Sequence, residues 1–418
     1  MKSHHQVLII GGGTAGIMVA AQLKRKDKQL DIAILEPAET HYYQPAWTLV
    51  GAGTYNYEKT AKPMADLIPK GVTWIKDFAT GFEPSQNAVT TKNTDTITYD
   101  YLVVAPGLVM ESAMIEGLPE ALDKGVVCSN YTDPEHTWDV IKNFKGGNAL
   151  FTQPSTPIKC GGAPQKIAYL AADYFRKKGI NKKTNVIFAT PGTVIFGVPE
   201  VKATLEKVLH RYGMHFKPFH APFKIDADKQ VAYFNYKGDK PLEIRVGNHL
   251  GMKDEGNNII SIPFDMLHLA PPQAAPKFIR DSELVNDAGW LDVDHHSLQH
   301  NTYKNIFGLG DVAALPTGKT GAAIRKQAPI VVDNVAKLIH QKEADNHSYN
   351  GYSSCPLVTG YGKMVLAEFD YDNKFTPDPK LKNMLVFDSS KEHWRLWLLK
   401  KYGLPYLYWN KMMKGIDV

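Results

Sequence analysis

Only three cysteines occur in 418 residues, too few for a disulfide framework, so each is judged by its own neighbours. Long apolar runs are missing as well. No uncharged stretch reaches the roughly 18 residues that a membrane-spanning helix needs. Strong charge of one sign is also lacking: 48 basic and 43 acidic side chains leave a formal charge of +5. That excess is too small and too dispersed for a nucleic-acid binder. Lys2, His4 and His5 lead into an apolar strand, but glycine follows at once. Neither a secretory signal nor an Arg- and Ser-rich transit segment has that form. No repeat of solenoid period and no low-complexity tract is visible. What remains is an ordinary folding composition, 44% hydrophobic and 22% charged. It excludes disorder and allows two or three domains with a large core.

Strand and helix patterns alternate along the chain. His5–Ile10, Asp31–Glu36, Tyr99–Ala105, Asn148–Thr152, Asn185–Ala189 and Asn305–Gly308 read as short buried strands. Ile17–Lys26, Lys166–Lys178 and Glu200–Tyr212 have helical spacing. This order predicts an α/β fold with parallel, doubly wound sheets. Phe223–Arg245 alternates like antiparallel strands, and the polar stretch Gln341–Gly351 reads as a linker.

Gly11-x-Gly13-x-x-Gly16 is a weak string that its context makes strong. It follows a strand, opens a helix, and precedes Glu36, 20 residues after Gly16 at the end of the next strand. Gly11 permits a tight turn, Gly13 lets backbone approach a pyrophosphate, and Gly16 lets helix and strand pack closely. The helix N-terminus adds unpaired N–H groups and partial positive charge. Glu36 suits ribose hydroxyls and would repel a 2′-phosphate.

Two later segments point to FAD. Tyr99–Gly107 resembles the strand and turn beneath the adenosine in two-dinucleotide-domain flavoproteins, and Asn305–Asp311 resembles their second FAD motif. In such proteins the aspartate, here Asp311, accepts hydrogen bonds from the ribityl chain. The NAD(P)H fingerprint expected after Asn148–Thr152 is missing. In its place stands Gln153-Pro154-Ser155-Thr156-Pro157-Ile158-Lys159-Cys160-Gly161-Gly162-Ala163-Pro164. A thiol just before a helix and beside Lys159 should have a lowered pKa, which makes Cys160 a nucleophile. Cys355 lies in a turn-rich stretch, Gly351–Gly362. Cys128, after an apolar pair, reads as a small hydrophobe at a strand end.

His41–Gly53, Lys159–Lys166, Leu315–Thr320, Ser353–Tyr361 and Leu366–Tyr371 closely resemble the sulfide:quinone oxidoreductases, in the branch that includes the mitochondrial animal enzyme. The likeness covers nearly the whole chain. It implies two Rossmann-like, glutathione-reductase-like domains: 1–110 with 290–345 for FAD, 111–289 carrying Cys160, and a quinone and membrane-interface segment over 346–418. It makes Cys160 and Cys355 the redox-active pair, bridged directly or through an extra sulfur, with Cys355 as persulfide carrier and Cys160 as the flavin-facing thiol. Cys128 matches no active cysteine of this branch. Gln44 and Gly107 join the FAD residues, and Lys319 would place a positive charge near the flavin N1/C2=O or the quinone oxygen.

The implied activity is oxidation of hydrogen sulfide to sulfane sulfur. Two electrons pass through FAD to quinone, and the sulfur passes to a small acceptor such as a thiol, sulfite or cyanide. Rival readings are a type II NADH:quinone oxidoreductase, a flavocytochrome-type sulfide dehydrogenase and a flavin-bearing scaffold without turnover. Homo-oligomerisation is left open. Glu392–Gly415 holds six aromatics and five basic residues around a single acid, a composition for the membrane interface, with Pro405 breaking it into two short pieces. The expected protein is a monotopic enzyme at the cytoplasmic face of a membrane. The start, lacking the relatives' transit segment, suggests a bacterial source. The end at Val418, soon after Tyr408-Trp409-Asn410, bears on the strength of attachment.

Overall fold

Strand His4–Ile10 is apolar on both faces, as a central parallel strand must be. In the computed structural model, which describes residues 3–93, 95–239, 248–342 and 349–417, it pairs in parallel with Ile32–Leu35 and with Ile97–Val104. Val72–Ile75 extends one edge of this sheet in parallel, and Ala88–Thr91 and Ala79–Glu83 extend the other in antiparallel. Ile97–Val104 also pairs in parallel with Ile306–Gly308. The chain thus returns about two hundred residues later to the same sheet. Gly11 and Asp311 therefore both emerge from carboxyl ends of parallel strands, where open α/β sheets place ligands.

The second sheet runs Val127–Cys128, Met266–Leu269, Gly147–Thr152, Thr184–Ala189, His215–Lys217, parallel throughout. Beside it lies an antiparallel sheet of His220–Asp226, Val231–Tyr236, Ile259–Pro263 and Lys253–Gly256. The antiparallel reading of Phe223–Arg245 is met as far as Tyr236; its end, from residue 240, lies outside the described residues, as does 343–348 of the expected linker.

Cys355 is not in a turn. Ser353–Gly360 is a strand paired antiparallel with Lys363–Phe369, and it lies against the helix Ala163–Lys177. Leu357 and Val358 are fully buried there, and burial of that run decides for strand over the local turn signals. The C-terminal segment then crosses to the first sheet, where Tyr408, Trp409, Met412 and Met413 enter the core around the helix Thr14–Lys26.

Pro405 does not break the terminal segment. Trp394–Leu398, Leu399–Gly403 and Leu404–Asn410 form one continuous helix whose middle turn has π geometry. The wider turn accommodates the carbonyl that the proline cannot bond.

Candidate active site

The glycine loop is a cradle that the protein itself does not fill. A Cβ on Gly16 would come within 1.9 Å of the Gly11 carbonyl oxygen, so helix and strand meet only because it is glycine. A Cβ on Gly13, by contrast, would meet nothing within 4 Å, and its φ of −73° needs no glycine. No side chain caps the helix that starts at Thr14. Open space in front of an uncapped helix N-terminus fits a pyrophosphate. Glu36 accepts the Gly12 N–H through Oε2 and the Ala38 N–H through Oε1, each at 2.7 Å. It thereby shapes the loop while keeping lone pairs for ribose hydroxyls. Gly107, at φ +76°, likewise has open space at its Cβ position.

Asp311 sits in a single 3₁₀ turn, Gly310–Val312, and the Gly310 N–H donates to Gln327 Oε1 at 2.9 Å. Burial pushes the Asp311 carboxyl up, and the ammonium groups of Lys159 and Lys319 oppose this. Lys319 Nζ donates to the carbonyls of Asp311 at 2.6 Å and Ala313 at 3.0 Å, and lies 3.9 Å from the centroid of the Trp290 ring. Burial lowers its pKa to about 8. Gln44 meets Lys159, whose Nζ donates to Gln44 Oε1. Between Pro157–Gly161 and Leu315–Lys319 a cleft of about 390 Å³ opens, with Trp290 in its wall.

Cys160 is held in the left-handed region, φ +50°, a conformation that costs a side-chain-bearing residue roughly 1–2 kcal/mol. Its surroundings enforce it. The Cys160 N–H donates to the Lys319 carbonyl and the Ala163 N–H to the Cys160 carbonyl, each at 2.7 Å. Tyr131 Oη donates to the carbonyls of Lys159 and Cys160, each at 3.1 Å. The Lys159 N–H donates to Gln273 Oε1 at 2.8 Å. The backbone at the thiol is thus held from three other segments of the chain, by Tyr131, Gln273 and Lys319.

The fold brings Cys355 to it across 195 residues of sequence. A Cβ on Gly162 would stand 2.5 Å from Cys355 Sγ, so the close approach of the strand depends on that glycine. All three cysteines are free thiols, and Cys160 packs against the buried cluster that holds Cys355, where each thiol acts on the other's proton affinity. Lys166, one turn into the helix and 2% exposed, donates to Cys160 Sγ at 2.9 Å, and its charge also acts on Cys355. The Cys160 thiol is held well below its ordinary pKa, first by the hydrogen bond from Cys355 and then by the Lys166 ammonium, against the opposing effect of burial. Cys355 is pushed well above its own, by the same hydrogen bond and by burial. The two shifts run in opposite directions, so Cys160 is the thiol of the pair that gives up its proton first.

The lowered pKa expected for Cys160 is met, but the cause differs: Lys166 supplies the adjacent charge and Lys159 turns to Gln44. Lys400, on the π turn, is the second ammonium here. It is buried, donates to the Pro45 carbonyl at 2.7 Å, and has its pKa lowered to about 7 by burial and by Lys166. Sequence reasoning missed both lysines and Tyr131. A lysine directly before the apolar run Ile167–Ala172 was the available signal for Lys166; Lys400 had none, because it read as one of the five basic residues of the membrane-interface segment. Cys128 is buried, donates to the Leu267 carbonyl at 3.5 Å, and has its thiol pushed up to about 12 by burial. It behaves as the strand-end hydrophobe expected.

The terminal helix divides its aromatics between two faces. Trp397, Tyr408 and Trp409 are buried, while Trp394, Tyr402 and Tyr406 are 55%, 61% and 60% exposed. With exposed Leu398 they recur every fourth residue and form one apolar stripe. Among the described residues no helix is long and apolar enough to cross a membrane.

Residues 5–334 match the pyridine nucleotide-disulphide oxidoreductase family. The chain is 41% identical to the mitochondrial sulfide:quinone oxidoreductase of Mus musculus, over 99% of this chain and 87% of that protein. It belongs to the sulfide:quinone oxidoreductase family. The mitochondrial sulfide:quinone oxidoreductase of Dictyostelium discoideum is 42% identical over the same shares. Among solved structures, the sulfide:quinone oxidoreductase of the hyperthermophilic bacterium Aquifex aeolicus superposes with a TM-score of 0.78 at 22% identity, covering 99% of this chain and 92% of that one. The fold is accordingly the α/β fold of this family, with two Rossmann-like sheets. Membership in this flavoprotein family implies FAD, and the open cradle at Gly13 fits it. The bacterial source expected from the start of the chain gains no support, because the mouse and Dictyostelium relatives are both mitochondrial.

Proposed function

We propose that this chain oxidises hydrogen sulfide at the Cys160–Cys355 pair and passes two electrons through FAD to quinone. The observation that carries the reading is the pairing of Cys160, half-buried in the loop where a nucleotide fingerprint would otherwise stand, with the buried strand residue Cys355 beside the Lys166 ammonium. FAD, held by Gly11, Gly13, Gly16, Glu36, Gly107 and Asp311, supplies the two-electron step between cysteines and quinone. Gln44, through Lys159, and Lys319 set the charge on its polar side. Residues 1–110 and 290–345 form the flavin unit and 111–289 the cysteine-bearing unit.

In the oxidised pair, hydrosulfide attacks the Cys355 sulfur. The S–S bond breaks, leaving a persulfide on Cys355 and a thiolate on Cys160. Attack in this direction expels the thiol of lower pKa, the better leaving group, and Lys166 receives the charge that develops on it. An acceptor thiolate then takes the outer sulfur, leaving Cys355 as a second thiolate. The two thiolates give up two electrons and re-form their bond. The cleft beside Gly161 and Lys319 is the route for sulfide and acceptor. The exposed stripe Trp394, Leu398, Tyr402, Tyr406 rests in a lipid surface, where quinone is dissolved.

An anaerobic absorbance spectrum tests this. Sulfide should bleach the bound flavin and NADH should not. Cys160→Ser and Cys355→Ser should each keep FAD and lose the bleaching. Bleaching by NADH alone would refute the proposal.

A further inference from the structure

The glycine loop is gripped from the far end of the chain. His41 Nδ1 lies 3.2 Å from the Gly12 carbonyl oxygen, and His41 Nε2 lies 2.5 Å from Tyr408 Oη. Tyr408 Oη in turn lies 2.7 Å from Thr14 Oγ1. The proton order follows from the acceptor. A carbonyl cannot donate, so Nδ1 carries the hydrogen and neutral Nε2 accepts from Tyr408. Tyr408 oxygen is then left to accept from Thr14. Burial keeps His41 neutral by lowering its pKa. The tyrosine ring has no freedom to leave: Tyr43 lies 4.5 Å and Trp409 4.9 Å from it, centroid to centroid.

We propose that Tyr408 is a positioning residue for the dinucleotide loop, fixing Thr14 directly and Gly12 through His41. The inference rests on the FAD reading above. With Glu36 on the Gly12 N–H, these bonds pin the loop on both sides of Gly13, the one point left open to the pyrophosphate. The uncapped N–H groups of the helix then face the phosphates already aligned, and binding need not order them. Tyr408 belongs to the same helix as the exposed stripe, so flavin retention and lipid contact act on one rigid element.

The test is titration of FAD into apoprotein, read by flavin fluorescence, with apoprotein melting measured alongside. Tyr408→Phe keeps the ring and removes the bond, and should raise the FAD Kd about five- to tenfold, the worth of one buried hydrogen bond. Asp417→Ala breaks a different polar link of the segment, Gln22 Nε2 to Asp417 Oδ1 at 3.2 Å, and should leave the Kd within twofold. Thr14→Ala combined with Tyr408→Phe should weaken binding no more than the larger single change. An unchanged Kd in Tyr408→Phe, an equal rise in Asp417→Ala, or additive effects in the double variant would each overturn the inference. So would a lower melting point with no change in Kd, the mark of a merely structural tyrosine. If the parent apoprotein takes up no FAD, the flavin reading falls as well; tight binding by both parent and Tyr408→Phe refutes only the role of Tyr408.

Discussion

Replacing Lys166 by methionine removes one charge and little volume from beside Cys160. The ammonium sits 2.9 Å from the sulfur and is almost fully buried, so solvent screens it little. A hydrogen bond to a charged group contributes about 1.5–3 kcal/mol net. The bare attraction of two charges 4 Å apart is about 4 kcal/mol at an effective dielectric of 20, which serves as a ceiling. Lys400 still faces the pair, which argues for the lower half of that range. At 1.36 kcal/mol per decade, sulfide-driven flavin reduction should slow roughly ten- to fiftyfold. The variant should fold, because a Cys160 left without its partner takes up a proton and becomes a neutral thiol. The assay is anaerobic stopped-flow reduction of the flavin across a pH series, expressed as the ratio of variant to parent so that the ionisation of sulfide cancels. The sign is fixed by the mechanism. Lys166 lowers the Cys160 pKa, so its loss raises it, and the deficit should shrink as pH rises. Loss of the same factor at every pH, or no loss with FAD fully bound, would refute the assignment of Lys166 to the thiolate.

Gly162→Ala should retain FAD and the fold yet lose most sulfide-driven reduction, because its methyl group would push Cys355 Sγ from 2.5 Å away; full activity would show that the strand can retreat and still react. Lys400, with a folded pKa lowered to about 7, has shed a proton above that pH which the unfolded chain keeps up to about 10.4. Stability should therefore rise with pH across that window, and Lys400→Met should flatten the rise when melting is measured at pH 6.5 and pH 9. Serine at Trp394, Tyr402 and Tyr406 together should weaken vesicle binding more than a hundredfold, at about 1.5 kcal/mol for each aromatic withdrawn from an apolar setting. Sulfide reduction of the flavin should be unaffected in that variant, and full turnover with a long-tailed quinone in liposomes, or a halved mass in solution, would assign the stripe elsewhere.

What the sequence made legible is what depends on neighbours in the chain. The spacing of Gly11, Gly13 and Gly16 after an apolar strand carries its own geometry, and so does Cys160 before the Ala163–Lys177 helix. Cys355 was placed beside Cys160 only through the family likeness, since nothing within 195 residues of intervening chain measures a distance between them. The direction of the Cys160 pKa shift was readable, but its source was not. Lys159 is adjacent in sequence, yet its stem leads to Gln44; Lys166 is six residues away, yet the first helical turn carries its ammonium back onto the sulfur. Sequence proximity and spatial proximity part company at a left-handed residue that reverses the loop.

The C-terminal segment shows how composition can merge two roles that the fold keeps apart. Six aromatics and five basic residues read as one interface, and deletion from Trp394 onward then looks like a clean test of membrane attachment. In the structure, half of those aromatics are core residues, and Lys400 points inward to the Pro45 carbonyl rather than toward head groups. Deletion would uncover the face of the Thr14–Lys26 helix that Tyr408, Trp409, Met412 and Met413 cover. It would also remove the hydroxyl that bonds Thr14. Loss of flavin would follow before any loss of membrane binding could be read. Only substitutions confined to the exposed stripe separate the two, because that stripe shares the helix with the buried face but none of its contacts to the glycine loop.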